Sequence, residues 1–169
     1  VAPERITVAR PGSARPRPTA RGVPADPPLV LAVGIQVPRK GHDVLLHALA
    51  RIRDRRWQAM IAGAPLDAGH ARRLEALVAE LDLGDRVQLA GHVPEDTLAD
   101  LFARAHLFAL ATRYEGYGIV FDEAMRRGLP IVSCAVGAVP DTVAPGAGLL
   151  VPPEDAGAFA AALARLLDE

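Results

Sequence analysis

The sequence predicts an α/β fold, a Rossmann-like open parallel sheet with helices on both faces. Three observations lead there. Short apolar runs alternate with longer stretches of helical periodicity, the signature of repeated strand–helix units. The first strand, Leu29 to Val33, is nearly all apolar, as expected when both faces of a sheet are covered. Every unusual glycine segment follows an expected strand, so all of them share the carboxyl edge, where such sheets bind ligands.

The elements follow in order. The stretch from 10 to 28 is rich in proline and arginine, and Pro27-Pro28 is a poor start for a central strand. Residues 1–28 are therefore expected as an extended N-terminal segment and residues 29–169 as the domain. After the first strand a helix is expected from about His42 to Arg53, with Val44, Leu45, Leu49 and Ile52 on one side. A strand follows near Trp57 to Ala62, with Trp57 structural. Ala68 to Leu81 is helical, with Leu74, Leu77, Val78 and Leu81 at helical spacing, and Gly84 helps stop it. Arg86 to Ala90 is a strand. Pro94 opens a helix at a position proline tolerates, ending near Ala105. Leu107 to Leu110 is a strand, Ile119 to Arg127 a helix closed by Gly128, Ile131 to Cys134 a strand, Leu149 to Val151 a short strand, and Asp155 to Leu167 the last helix.

Composition narrows the function. At 169 residues and 50% hydrophobic, the chain has enough material for one domain with a real core and is not a disordered chain. A net charge of −1 implies no broad field for nucleic acid. Five arginines and one acidic residue precede Asp26, so the charge is uneven. Cys134 is alone, which rules out an intrachain disulfide and fits a reducing, cytoplasmic compartment. No apolar run is long enough to span a membrane, and no signal peptide is visible. The chain begins with Val1 and is expected to be a piece of a longer protein.

The chemistry concentrates in Glu115-Gly116-Tyr117-Gly118-Ile119-Val120-Phe121-Asp122-Glu123. Gly116 and Gly118 permit tight or left-handed backbone. The free N–H groups of a helix starting near Gly118 and Ile119 suit a phosphate. Ionised carboxylates are acceptors only, so Glu115 suits sugar hydroxyls and Glu123 the hydroxyls of a ribose. Asp122 is expected to be solvated. After the first strand, Gly34 to Gly41 occupies the place of a phosphate loop without a G-x-G-x-x-G or Walker pattern. Lys40 is expected to set its ammonium against a diphosphate, while Arg39 faces solvent. Together these features point to a nucleotide-sugar site.

Other segments are more ambiguous. Gly137 either brings backbone to ligand or simply turns the chain out of a strand. Gly91-His92-Val93-Pro94 is placed to meet a nucleobase edge with its backbone, His92 itself reading as an exposed loop residue. One of Tyr114 and Tyr117 packs under the acidic turn and the other covers ligand. His42, His47, His70 and His106 show no metal-like grouping, and Ser133 and Cys134 no activated triad.

On these residues the chain resembles the retaining, GT-B-fold glycosyltransferases of family 4, a group that includes bacterial cell-surface and phosphatidylinositol mannosyltransferases. The resemblance runs from Ile6 onward and corresponds to the donor-binding C-terminal half of those enzymes. It rests on Pro11-Gly12, Gly34 with Lys40-Gly41, Ile61-Ala62-Gly63, Val87 to Val93, Glu115-Gly-Tyr-Gly with Glu123-Ala124-Met125, Gly128-Leu-Pro-Ile-Val and Gly148-Leu-Leu-Val-Pro-Pro. It implies that Glu115 contacts the donor hexose, that Glu123 holds the ribose, and that Lys40 binds the diphosphate. Backbone around Gly116, Tyr117, Gly118 and Ile119 would serve the same phosphates, with the base near His92 and Val93.

The implied donor is a UDP- or GDP-sugar, with no metal and no further cofactor. The implied acceptor is a sugar, lipid or small molecule held by an N-terminal half that this chain lacks, with peripheral membrane association open to the full protein. Alone, the fragment would bind donor without transferring sugar.

One position departs from the pattern. Where the resemblance implies a second diphosphate-clamping arginine, this chain has Ile35, which makes no charge-assisted bond. Either Arg39 compensates, or donor binding is weaker, or the full protein is a diverged member. Three alternatives stand beside the transferase reading: a non-catalytic nucleotide-sugar-binding domain, another GT-B enzyme such as an epimerase or a glycogen-synthase-like transferase, and a structural α/β interaction module.

Overall fold

The computed structural model describes residues 22–169; most of the expected N-terminal segment lies outside them. Six strands form one sheet: β1 (Leu29–Val33), β2 (Gln58–Ala62), β3 (Val87–Gly91), β4 (Leu107–Leu110), β5 (Ile131–Cys134) and β6 (Gly148–Val151). All neighbouring strands are parallel, in the order β3-β2-β1-β4-β5-β6. The connections are α1 (His42–Arg51), α2 (Ala68–Glu80), α3 (Glu95–Arg104), α4 (Ile119–Arg126) and the short α5 (Val139–Thr142), with α6 (Ala156–Asp168) last.

The strands read as apolar runs because side chains alternate between two covered faces. In β1, Val30 and Ala32 join a core with Leu45 and Leu49 of α1, Leu74 of α2 and Phe159 and Leu163 of α6. Leu29 and Leu31 join the opposite core with Phe102 of α3 and Phe121 of α4. In that second core Phe108 of β4 stacks on Phe102 at 6.0 Å between ring centroids and meets Phe121 edge-on at 5.8 Å. Trp57 is buried and structural: its indole N–H donates to Ile52 O at 2.8 Å, and the Arg86 guanidinium covers its ring at 3.8 Å.

Differences from the expected elements have local causes. A single 3-10 turn, Pro38–Lys40, precedes α1. The four residues of α5 read as turn chemistry because one helical turn is too short to show periodicity. The end of the stretch expected as an extended segment is anchored on the domain. Ala25 is buried, its N–H donates to Arg104 O at 3.1 Å, and Pro27 O accepts from Gln58 Nε2 at 2.7 Å.

The sheet order reverses direction between β1 and β4. The chain leaves these adjacent strands toward opposite sides, so their outgoing loops diverge and open a crevice at the carboxyl edge. The ring of Phe108, packed on Phe102 and Phe121, holds α3 and α4 beside that crevice. Phe108→Ala should cost about 3–5 kcal/mol of stability, read as a shift in urea midpoint at unchanged m-value.

Candidate donor-binding site

The crevice begins where β1 ends. Gly34 N–H donates to Ala62 O, and Gln36 N–H to Ala64 O, both at 2.9 Å. The β1 and β2 loops pass so closely that a Cβ on Gly63 would lie 1.9 Å from Gly34 O; only glycine fits there. From below, the buried His42 places Nε2 at 3.0 Å from Gly34 O. A carbonyl only accepts, so this nitrogen carries the proton. Burial lowers the His42 pKa against the pull of the Gly34 and Ile35 backbone, which keeps the ring neutral.

The 3-10 turn then presents Lys40. Its Nζ donates to Glu115 Oε2 at 2.6 Å, and the two side chains are only 12% and 11% exposed. Glu115 lies in the loop from β4 to α4 and is steadied from β5, where Ala138 N–H donates to Glu115 O at 2.9 Å. Gly137 packs against the Glu115 backbone, so its role is the strand-exit turn that supports this loop.

A strap ties the β1 and β4 loops together. Arg113 N–H donates to Arg39 O at 2.8 Å. The Arg113 guanidinium grips Asp43 through two bonds of 2.9 Å and also binds Glu154. These bonds raise the Arg113 pKa further. Burial pushes the Asp43 carboxyl up, but hydrogen bonding and charge from Arg113 prevail and hold it low.

At the far wall, Gly118 caps α4 with φ 86°. A Cβ there would lie 2.5 Å from a ring carbon of the fully buried Phe121. Phe121 N–H donates back to Gly118 O at 2.9 Å. The N–H groups of Ile119 and Val120 find no partner among the described residues, and no side chain caps this helix. They form the positive mouth of α4.

These walls enclose a cavity of about 660 Å³ lined by residues including Gly34, Lys40, Val93, Glu115, Gly118 and Ile119. Its size suits a small-molecule ligand. One ammonium, one carboxylate and unpaired amides converge on it, and Val33, Ile35, Leu98 and Val120 supply apolar surface.

Residues 17–169 match the family described as Glycosyl transferases group 1. The chain belongs to the group 1 glycosyl transferases. It is 37% identical to a D-inositol 3-phosphate glycosyltransferase of Thermobispora bispora, over 99% of this chain and 43% of that protein. The chain therefore spans less than half the length of that relative. Among solved structures, sucrose-phosphate synthase from Thermosynechococcus elongatus superposes with a TM-score of 0.77 at 39% identity, covering 84% of this chain and 36% of that one. An Anabaena protein solved in complex with UDP-glucose gives 0.76 at 25% identity, over 83% and 39%.

In this group 1 glycosyl transferase chain, most of the residues singled out in the sequence meet at the cavity: Gly34, Lys40, Val93, Glu115, Tyr117, Gly118 and Ile119 all line it. Gly116 and Glu123 do not. Gly116 has open space beside it, and Glu123 sits half-buried on α4. Burial pushes the Glu123 carboxyl above its ordinary range, with Arg127 and Arg126 opposing. Tyr117 is the tyrosine at the cavity, and Tyr114 is exposed.

Arg39 and His92 are exposed, as expected, and both also line the cavity. One expectation is corrected. Asp122 accepts a hydrogen bond from Tyr117 OH at 2.9 Å and so fixes that ring. Arg113 carried no sequence signal, because its partners Asp43 and Glu154 are distant in the chain. Cys134 is buried and its thiol is pushed up to about 11, and Ser133 Oγ donates to Leu110 O at 2.7 Å; both are structural. Among the described residues no three metal-ligating side chains gather, and no helix is long and apolar enough to cross a membrane.

Glu123 gives a pH prediction. A carboxyl whose folded pKa is raised destabilises the fold once it ionises. Glu123→Gln should therefore melt higher than the parent at pH 7, and the gap should close as the pH falls and the parent's carboxyl protonates. Thermal melts across pH 4–7 read this directly.

Proposed function

We propose that this chain is the donor half of a retaining glycosyltransferase, holding a nucleoside-diphosphate sugar whose hexosyl group passes to an acceptor on an N-terminal domain beyond this chain. The observation that carries the reading is the meeting of Lys40, Glu115 and the open amides of α4 in one cavity at the β1/β4 switch point. A diphosphate is the group that matches an ammonium beside a helix mouth. The likeness to a protein solved with UDP-glucose supports a nucleotide-sugar donor, UDP- or GDP-linked.

The roles follow from chemistry. Lys40 and the Ile119 and Val120 amides face the diphosphate and stabilise the charge that develops as it leaves, an electrostatic contribution from fixed donors. Glu115 accepts hydrogen bonds from the hexose. Val93 and Leu98 supply apolar surface for the base, and we assign Glu123 to the ribose as the resemblance implies. The diphosphate needs no metal in this scheme. We assign the full protein to the cytoplasm, with peripheral membrane contact where its acceptor is a lipid. Ile35 on the cavity wall favours a second reading, a domain that binds nucleotide sugar without turnover; anomeric analysis of product from the full-length protein separates the two.

Calorimetric titration tests the site. Lys40→Ala should weaken UDP or GDP binding by about 10- to 100-fold, the span expected for losing a charge-assisted bond, with uridine or guanosine binding little changed. An equal loss on nucleoside and nucleotide would overturn the assignment of Lys40 to the diphosphate.

A further inference from the structure

The cavity holds more positive charge than one diphosphate-facing lysine. Glu115 is bracketed by two cations. Lys40 Nζ lies 2.6 Å from Oε2, and Arg39 Nη1 lies 3.9 Å from Oε1. One carboxylate therefore serves two cations, leaving a surplus positive charge on a wall that is otherwise largely apolar. Ile35 adds none.

Arg39 and Arg113 flank the same rim but differ in what remains available. The Arg113 guanidinium is committed to Asp43 and Glu154. Arg39 spends one N–H on Tyr114 O at 3.0 Å, and among the described residues its guanidinium makes no other hydrogen bond. A guanidinium has five donors in a rigid fork that matches phosphate oxygens. The Tyr114 tether holds that fork at the cavity, and its side chain stays 44% exposed, open to an incoming ligand.

We infer that Arg39 is a second diphosphate-binding cation, and that Glu115 is the internal counter-ion holding Arg39 and Lys40 in place until the donor arrives. On binding, the phosphates take over both cations. Glu115 is then released to accept hydrogen bonds from the hexose. The inference rests on the donor-binding reading above and adds to it a residue and an exchange of partners.

The test uses this chain, with UDP and GDP titrated calorimetrically into the parent, Arg39→Ala, Arg39→Gln and Lys40→Ala, at low and high salt. UMP or GMP serves as the single-phosphate control. Thermal melts check that each variant is folded. Arg39→Gln keeps an amide donor for Tyr114 O but no charge. Both Arg39 variants should weaken diphosphate binding about tenfold, with a smaller loss on the monophosphate and a shallower salt dependence than the parent.

Full affinity in both Arg39 variants, beside a clear loss in Lys40→Ala, would overturn the role of Arg39 and leave the donor-binding reading intact. Recovery in Arg39→Gln alone would also overturn it, showing a tether to Tyr114 and no ionic contact. A parent chain that binds neither UDP nor GDP would overturn both.

Discussion

The site depends on one ion pair, Lys40 with Glu115, closed at 2.6 Å and largely shielded from water. Taking two charges out of water is costly, and a buried pair is tolerable only when each charge satisfies the other. The two residues come from loops that leave neighbouring strands in opposite directions. The pair therefore bridges the mouth of the crevice that the fold opens. It also sets polar chemistry at one end of a cavity whose remaining wall is mostly aliphatic.

The loops around the pair have little freedom. Gly63 lets the β2 loop press on the β1 loop, His42 holds Gly34 from beneath, and Arg113 straps the β1 loop to the β4 loop. The β5 loop holds Glu115 by its backbone. Beneath them, two apolar layers clamp the sheet from both faces. Fixed donors of this kind stabilise charge without reorganising at the moment of reaction, which is what the proposed departure of a nucleoside diphosphate would require. The unpaired amides of α4 complete that arrangement, and Gly118 makes their exposure possible by turning the chain where a side chain would strike Phe121.

The chain covers 43% of its Thermobispora relative. Its cavity wall carries an ammonium, a helix mouth and a second cation held at the edge. The Glu115 carboxylate lies between the two cations, 2.6 Å from Lys40 Nζ and 3.9 Å from Arg39 Nη1.

How much was legible depended on range. β4 and β5 fell on the residues expected from sequence because a doubly covered strand is an unbroken apolar run between turn residues. Lys40, Glu115, Gly118 and Ile119 were marked by residue type at loop and helix-start positions, which are local properties. α5 was not, since four residues leave no periodic trace. The half-burial of Glu123 on α4 was also hidden, because helical phase alone does not say how far neighbouring segments will cover a side chain.

The amino-acid sequence by itself determined the alternation of strands and helices, the edge on which the glycine loops gather, and the chemical types available there, because apolar periodicity and backbone freedom act over a few residues. Tertiary structure alone decided which groups meet. Lys40 and Glu115 are 75 residues apart, as are Arg39 and Tyr114. Such contacts are set by sheet order and loop packing, which bring distant segments together only once both hydrophobic layers have closed.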